Sequence, residues 1–147
     1  MVYRWNISLG ILLLLITSSL FPVKAQSSLY NPISLPMNQE INDELSAEDI
    51  PTGEGGFARD YYVDLESGDQ ISIDLKSDDF DTLVRLIASD GTTVAENDDG
   101  PDGTTNSLLF TRMSESGRYI IRVRAFGETG GGDFTLKITR LQAIEEN

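Results

Sequence analysis

The sequence predicts an all-β protein: an antiparallel β-sandwich of about eight strands, preceded by a cleaved signal peptide. Three observations carry this. Apolar and polar residues alternate with period two around Tyr61, Val63 and Leu65, again around Ile71, Ile73 and Leu75, and again around Tyr119, Ile121 and Val123. Turn residues interrupt these runs at intervals of roughly 8–12 residues, the spacing of a sandwich. Beyond residue 25 no stretch has helical period.

The first 25 residues are set apart by composition. Arg4 supplies a positive start, Ile11–Ile16 is unbroken apolar chain, Pro22 ends any helix, and Val23-Lys24-Ala25 is a small-x-small site before Gln26. This is the pattern of a secretory signal peptide. An uncleaved anchor is the rival reading, but the apolar run is short for a span of ~20 residues. Export to the periplasm or the medium is the expected localisation, with no membrane span after cleavage. The divisions expected are 1–25 signal peptide, 26–36 linker, 37–141 sandwich and 142–147 acidic tail.

The strands follow in order. Glu40–Leu45 reads as a first edge strand, and 46–56 as a loop broken by Pro51, Gly53, Gly55 and Gly56. Tyr61–Leu65, the turn Ser67-Gly68-Asp69 and Ile71–Leu75 form a hairpin. Ser77–Asp81 is a first acidic loop. Thr82–Ala88 is a mostly buried strand with Val84 and Leu86 inward and Arg85 outward, and Asp90-Gly91 turns it into a short return at Thr93–Glu96. Asn97–Asn106 is a second acidic loop. Ser107–Arg112 is a strand with Leu108 and Phe110 expected in the core. Tyr119–Ala125, a glycine-rich loop at 127–132 and Phe134–Ile138 complete the sandwich.

Charge and missing residue types narrow the function. Taking Arg4 and Lys24 from the 11 basic residues leaves 9 against 24 acidic ones, a net charge of −15 for the exported chain. Such a chain repels nucleic acid and anionic membrane surfaces and attracts cations. Without Cys there are no disulfides or thiolate metal sites. Without His the commonest general base is missing. A Ser–Lys hydrolase would have only Lys76 and Lys137, both on outward strand positions.

Seven Asp lie between residues 78 and 102. A hairpin brings its open ends together, so Asp79 and Asp81 before one strand should approach Asn97, Asp98 and Asp99 after the next. Calcium takes six to eight such oxygens, which makes these five residues the candidate metal ligands. The alternative is that Asp81 and Asp98 cap turns by accepting from backbone N–H groups. The second loop does not follow the EF-hand pattern. Paired Asp also suit glycoside hydrolysis, but that needs one carboxyl with a raised pKa in an apolar cleft, and these loops are rich in Gly and Asn.

Arg118, Arg122 and Arg124 share one strand face, with Arg85, Arg112, Lys76 and Lys137 as possible neighbours; no basic residue falls between Ser89 and Phe110. The stripe is either cross-strand pairing with Asp64 and Asp74 or a docking face, and Tyr62 is the one aromatic expected outside. These four, Arg118, Arg122, Arg124 and Tyr62, are the candidate partner-binding residues.

Several pieces, taken in order, carry a resemblance. They are Tyr61-x-Val63-x-Leu65, Ser67-Gly68-Asp69, Ile71-x-Ile73-x-Leu75, Phe80-Asp81-Thr82-Leu83, Arg85-Leu86, Asp90-Gly91, Ala95-Glu96-Asn97-Asp98-Asp99, Ser116-Gly117-Arg118-Tyr119 and Phe134-Thr135-Leu136. This order resembles the bacterial pre-peptidase C-terminal domain family, over about Met37 to Leu141. The resemblance implies a jelly-roll-like sandwich and a secreted, stand-alone accessory module that binds rather than catalyses. Relatives from collagenases bind collagen and calcium, with part of the calcium site in the N-terminal linker; here that region offers only Glu48 and Asp49. The expectation is a non-enzymatic, monomeric module with a protein or polysaccharide partner and calcium as its cofactor. A carbohydrate-binding sandwich is the alternative, and a minimal carboxylate hydrolase the third class.

Overall fold

The computed structural model describes residues 30–101, 103–127 and 129–142. The described residues from Asn31 on lie in one compact unit; the segment expected to be a signal peptide, Asp102, Glu128 and the tail from 143 lie outside the described residues. Ten strands and no helix are found among the described residues: β1 Ile33–Ser34, β2 Glu40–Leu45, β3 Ile50–Pro51, β4 Phe57–Leu65, β5 Gln70–Lys76, β6 Thr82–Ile87, β7 Thr93–Asn97, β8 Ser107–Arg112, β9 Gly117–Ala125 and β10 Gly132–Leu141. No helix among them is long and apolar enough to cross a membrane.

The strands form two sheets. Sheet A runs β1-β4-β9-β6-β7 with β3 also on β4, and sheet B runs β2-β10-β5-β8. All pairings are antiparallel except β1 with β4. The inward faces meet in one core in which Tyr61, Ile71, Ile73, Leu75, Val84, Leu86, Ile121, Val123, Leu136 and Ile138 are fully buried. Phe134 sits between Tyr61 and Phe80, each ring edge-on at 6.4 Å, a favoured aromatic geometry.

Two strands exceed the expected eight. β1 and β3 are two residues long and lie beside Pro, where no alternation can be read. β1 falls in the segment expected to be a linker. It pairs with Tyr61 and Tyr62, and the next residue, Leu35, is buried in the core with its N–H on the Tyr62 carbonyl at 3.0 Å.

One expectation for the core is corrected. In β8 it is Leu109 that is buried, while Leu108 is only half-buried and Phe110 is 62% exposed. Three apolar residues in a row carry no phase of their own. The phase is set by Ser107, which is buried with its hydroxyl on the Thr82 carbonyl at 2.9 Å and against the Thr82 hydroxyl at 2.7 Å.

The end of the glycine-rich loop, at Gly131 and Gly132, is packed rather than open. A Cβ on Gly131 would lie 2.5 Å from the Leu45 carbonyl oxygen, and one on Gly132 would lie 2.6 Å from the Asp79 side chain. Gly131→Ala is therefore expected to cost about 1–3 kcal/mol, since backbone must move to admit the methyl. Urea unfolding checks this; an unchanged midpoint would mean that the loop yields freely.

Candidate functional site

The two acidic loops meet at Ser77 and Thr82: the Asn106 side chain accepts the Ser77 N–H at 3.1 Å, and the Thr105 carbonyl accepts the Thr82 N–H at 2.9 Å. β6 and β7 pair, Val84 opposite Asn97 and Arg85 opposite Glu96. The preceding loop also turns towards β9 and β10. Asp79 is exposed, and its Oδ2 accepts the Asp133 N–H at 2.8 Å. Ser77 pins this loop: its hydroxyl donates to the Asp133 carbonyl at 2.7 Å and accepts from the N–H groups of Asp79 and Phe80 at 3.0 and 3.3 Å. The Asp81 carbonyl accepts the Phe126 N–H at 2.8 Å.

The second loop also turns towards β8. Asn97 Nδ2 donates to the carbonyls of Asp99 and Leu108, both at 2.8 Å, and its Oδ1 accepts the Asp99 N–H at 3.3 Å. Asn97 thus caps its own turn, as Asx residues do. Asp98 is half-buried and Asp99 exposed. Among the described residues no three acidic side chains gather closely enough to hold a metal ion.

The arginine stripe lies on the outer face of sheet A, and each member has an acidic partner there. Arg118 forms a two-point pair with Asp64 at 3.0 and 3.1 Å, and its guanidinium sits 4.3 Å over the Tyr62 ring. The hydrogen bond from Arg118 holds the Asp64 carboxyl below its ordinary pKa. Arg122 grips Asp60 at 2.8 and 2.7 Å, and the Asp60 side chain is only 2% exposed. Arg124 reaches Glu54 at 3.3 Å. Arg85 joins the face and pairs with Glu96, which sets Asp60, Arg122, Arg85 and Glu96 side by side across four strands. Lys76, Lys137, Arg112 and Asp74, named as possible members of this face, lie in sheet B. One face of the Tyr62 ring is taken by Arg118, so Tyr62 has a single face left for a ligand.

Sequence reasoning missed a clasp between the two sheets. Arg59 of β4 donates through Nε to Asp43 Oδ2 at 2.8 Å and through Nη1 to Asp49 Oδ1 at 2.7 Å, while the buried Tyr61 hydroxyl donates to Asp43 Oδ2 at 2.7 Å. Burial raises the Asp43 pKa, but hydrogen bonds from Tyr61, the Glu44 N–H and Arg59 outweigh it and leave the carboxyl below its ordinary value of 3.8. Burial and then Asp43 push the Tyr61 hydroxyl far upward. The available signal was parity: Arg59 alternates in step with core residues Tyr61, Val63 and Leu65, and a charge on an apolar face implies a partner.

Asp43 also borders a cleft of about 810 Å³ at the end of sheet B. Five carboxylates, those of Asp43, Glu44, Asp78, Asp79 and Asp133, line it against one lysine, Lys76, together with polar Asn106. General acid catalysis needs a carboxyl raised towards neutrality, and Asp43 is displaced the other way.

Comparison with known proteins bears on this geometry. Residues 58–125 match the family model described as the bacterial pre-peptidase C-terminal domain. No curated protein matches the chain. The structure is similar to the pre-peptidase C-terminal domain of a collagenase from Bacillus anthracis, with a TM-score of 0.57 and 12% identity over 74% of this chain and 94% of that one. It is also similar to PliG of Aeromonas hydrophila, a periplasmic inhibitor of g-type lysozyme, with a TM-score of 0.51 and 12% identity over 73% of this chain and 95% of that one. At that identity these likenesses speak of fold. Residues 58–125 match the bacterial pre-peptidase C-terminal family model, and the fold over most of the chain is similar to a solved domain of that family.

Proposed function

We propose that this domain is an exported, non-catalytic binding module that acts by docking to a partner. The observation that carries the reading is the cleft at the end of sheet B. It has the volume of a ligand site, five carboxylates line it, and Asp43 is held charged rather than poised as an acid. The family match supports an accessory role. The likeness to a lysozyme inhibitor supports a protein partner, because an inhibitor of that kind acts on another protein. The carbohydrate-binding alternative calls for a row of exposed aromatics, and Tyr62, the residue the sequence offered, is half covered by Arg118. The purified full chain is expected to turn over neither nitrophenyl glycosides nor casein. Turnover that disappears in Asp79→Asn would overturn the reading in favour of a hydrolase.

Two finer proposals rest on the sequence. The first is docking through Tyr62, Arg118, Arg122 and Arg124. The pairs of Arg118, Arg122 and Arg124 with Asp64, Asp60 and Glu54 leave this face balanced in charge, which suits a protein surface better than an acidic polymer. Arg118 and Asp64 are its most open pair, so Arg118→Ala is expected to shift the unfolding midpoint by no more than about 2 °C. A larger loss would mark Arg118 as structural and unavailable for docking. The second is calcium stabilisation through Asp79, Asp81, Asn97, Asp98 and Asp99, whose described geometry does not gather a ligand set. Unfolding with saturating calcium and with chelator tests it. A rise of several degrees that is absent in Asp98→Ala would support it, and equal midpoints would remove it.

A further inference from the structure

The outward side of β8 is the starting point. Leu108 and Phe110 have no role in the core, yet Phe110 leaves 62% of its surface open on a sheet face. Register places them beside sheet B's polar rows: Leu108 lies opposite Asp74, Phe110 opposite Ser72, and Lys76 of the same β5 face lies opposite Thr135. That face runs on into the cleft, where Lys76 and Thr135 form part of the lining. One surface thus joins an exposed aromatic anchor to a concavity with four acids in excess of its one lysine.

From this arrangement the geometry points to the outer face of sheet B as a docking surface for a partner protein with a basic patch, anchored on Phe110 and received by the cleft. The inference deepens the binding-module reading and rests on it. Charge selects the occupant. Glu44, Asp78 and Asp133 are exposed and form no ion pair among the described residues. An acidic polymer would be repelled, whereas Arg or Lys side chains would find acceptors on three sides. A large aromatic next to such a patch is the usual composition of an energetic centre in a protein interface. Sheet A, whose arginines are already matched, lacks this imbalance.

The test uses the full chain and two fluorescein-labelled probes of equal length, deca-arginine and a peptide alternating arginine with tryptophan. The double variant Asp78→Asn/Asp133→Asn is compared with Glu48→Gln/Glu115→Gln, which removes the same charge elsewhere on the surface. Phe110→Ala tests the anchor. All altered side chains are exposed, so each variant should keep its unfolding midpoint within about 2 °C. The cleft pair is expected to weaken both probes about five-fold or more, and the control pair less than about two-fold. Phe110→Ala is expected to weaken the tryptophan probe alone, by about five-fold or more. Equal weakening by the cleft and control pairs would reduce the effect to bulk charge and overturn the inference. So would a Phe110→Ala variant that binds both probes as the wild type does. Either failure leaves the binding-module reading intact, because that reading falls only to measured turnover.

Discussion

Arg122→Ala is expected to destabilise the domain by about 3–5 kcal/mol, on the order of 10 °C in unfolding midpoint. Asp60 is the reason. Its carboxylate is all but sealed from water and is held at both oxygens by the Arg122 guanidinium. Removing the arginine leaves a buried charge without its principal counter-charge, which costs far more than the pair itself contributes. The double variant Asp60→Leu/Arg122→Met removes both charges at similar volume and should lose much less, because no orphan remains. Urea unfolding of the single and double variants measures the difference. If Arg122→Ala cost less than about 1 kcal/mol, this would be a surface pair of ordinary strength.

The second large effect is expected at the clasp. Asp43→Ala takes the acceptor from the buried Tyr61 hydroxyl and one of the two partners from Arg59. An unsatisfied buried hydroxyl costs about 1–3 kcal/mol and the lost charge-assisted bond adds to it, so a total of about 2–4 kcal/mol is expected. Asp43→Asn keeps an oxygen for Tyr61 and should lose roughly half as much. The two variants also separate by pH. The folded Asp43 carboxyl lies below its ordinary value of 3.8. Its contribution is therefore present above the unfolded pKa and is lost as pH falls through the folded one. The wild-type advantage over Asp43→Asn should be full at pH 6 and shrink as pH falls below the ordinary value of 3.8. An advantage that stays constant down to pH 2 would show that the charge of Asp43 is not what the clasp uses.

The long strands were legible because their apolar residues alternate onto one face. β5 and β9 alternate so regularly that Ile71, Ile73, Leu75, Tyr119, Ile121 and Val123 could be assigned to the core from spacing alone, and they are buried there. Where alternation fails, so did the reading. Leu108-Leu109-Phe110 offers two phases, and the choice was made by the hydroxyl of Ser107 meeting Thr82 on another strand. β1 and β3 are too short to have a period. The arginine face was legible as far as its pairing with Asp64, because register within a sheet follows from alternation. The clasp was not, since Asp43, Asp49, Arg59 and Tyr61 meet across two sheets and nothing local links them. The acidic loops were legible as turns, but not the polar side chains that tie them down: Ser77 bonds to β10 and to Asn106 of the other loop, and Asn97 bonds to β8.

The glycine loop between β9 and β10 also bears on how the domain can be engineered. By composition it looks like a flexible linker, the natural place to graft a peptide or split the chain for circular permutation. Its packing says otherwise, because Gly131 and Gly132 pass against Leu45 and Asp79 with no room for a side chain. The tolerant point is the β6–β7 turn, where Gly91 has nothing within 4 Å of an added Cβ and Asp90 closes the turn on the Thr92 N–H at 2.9 Å. A reporter inserted after Gly91 would hang free of both the cleft and the core, whereas one inserted at Gly131 would pry the two sheets apart at their shared rim.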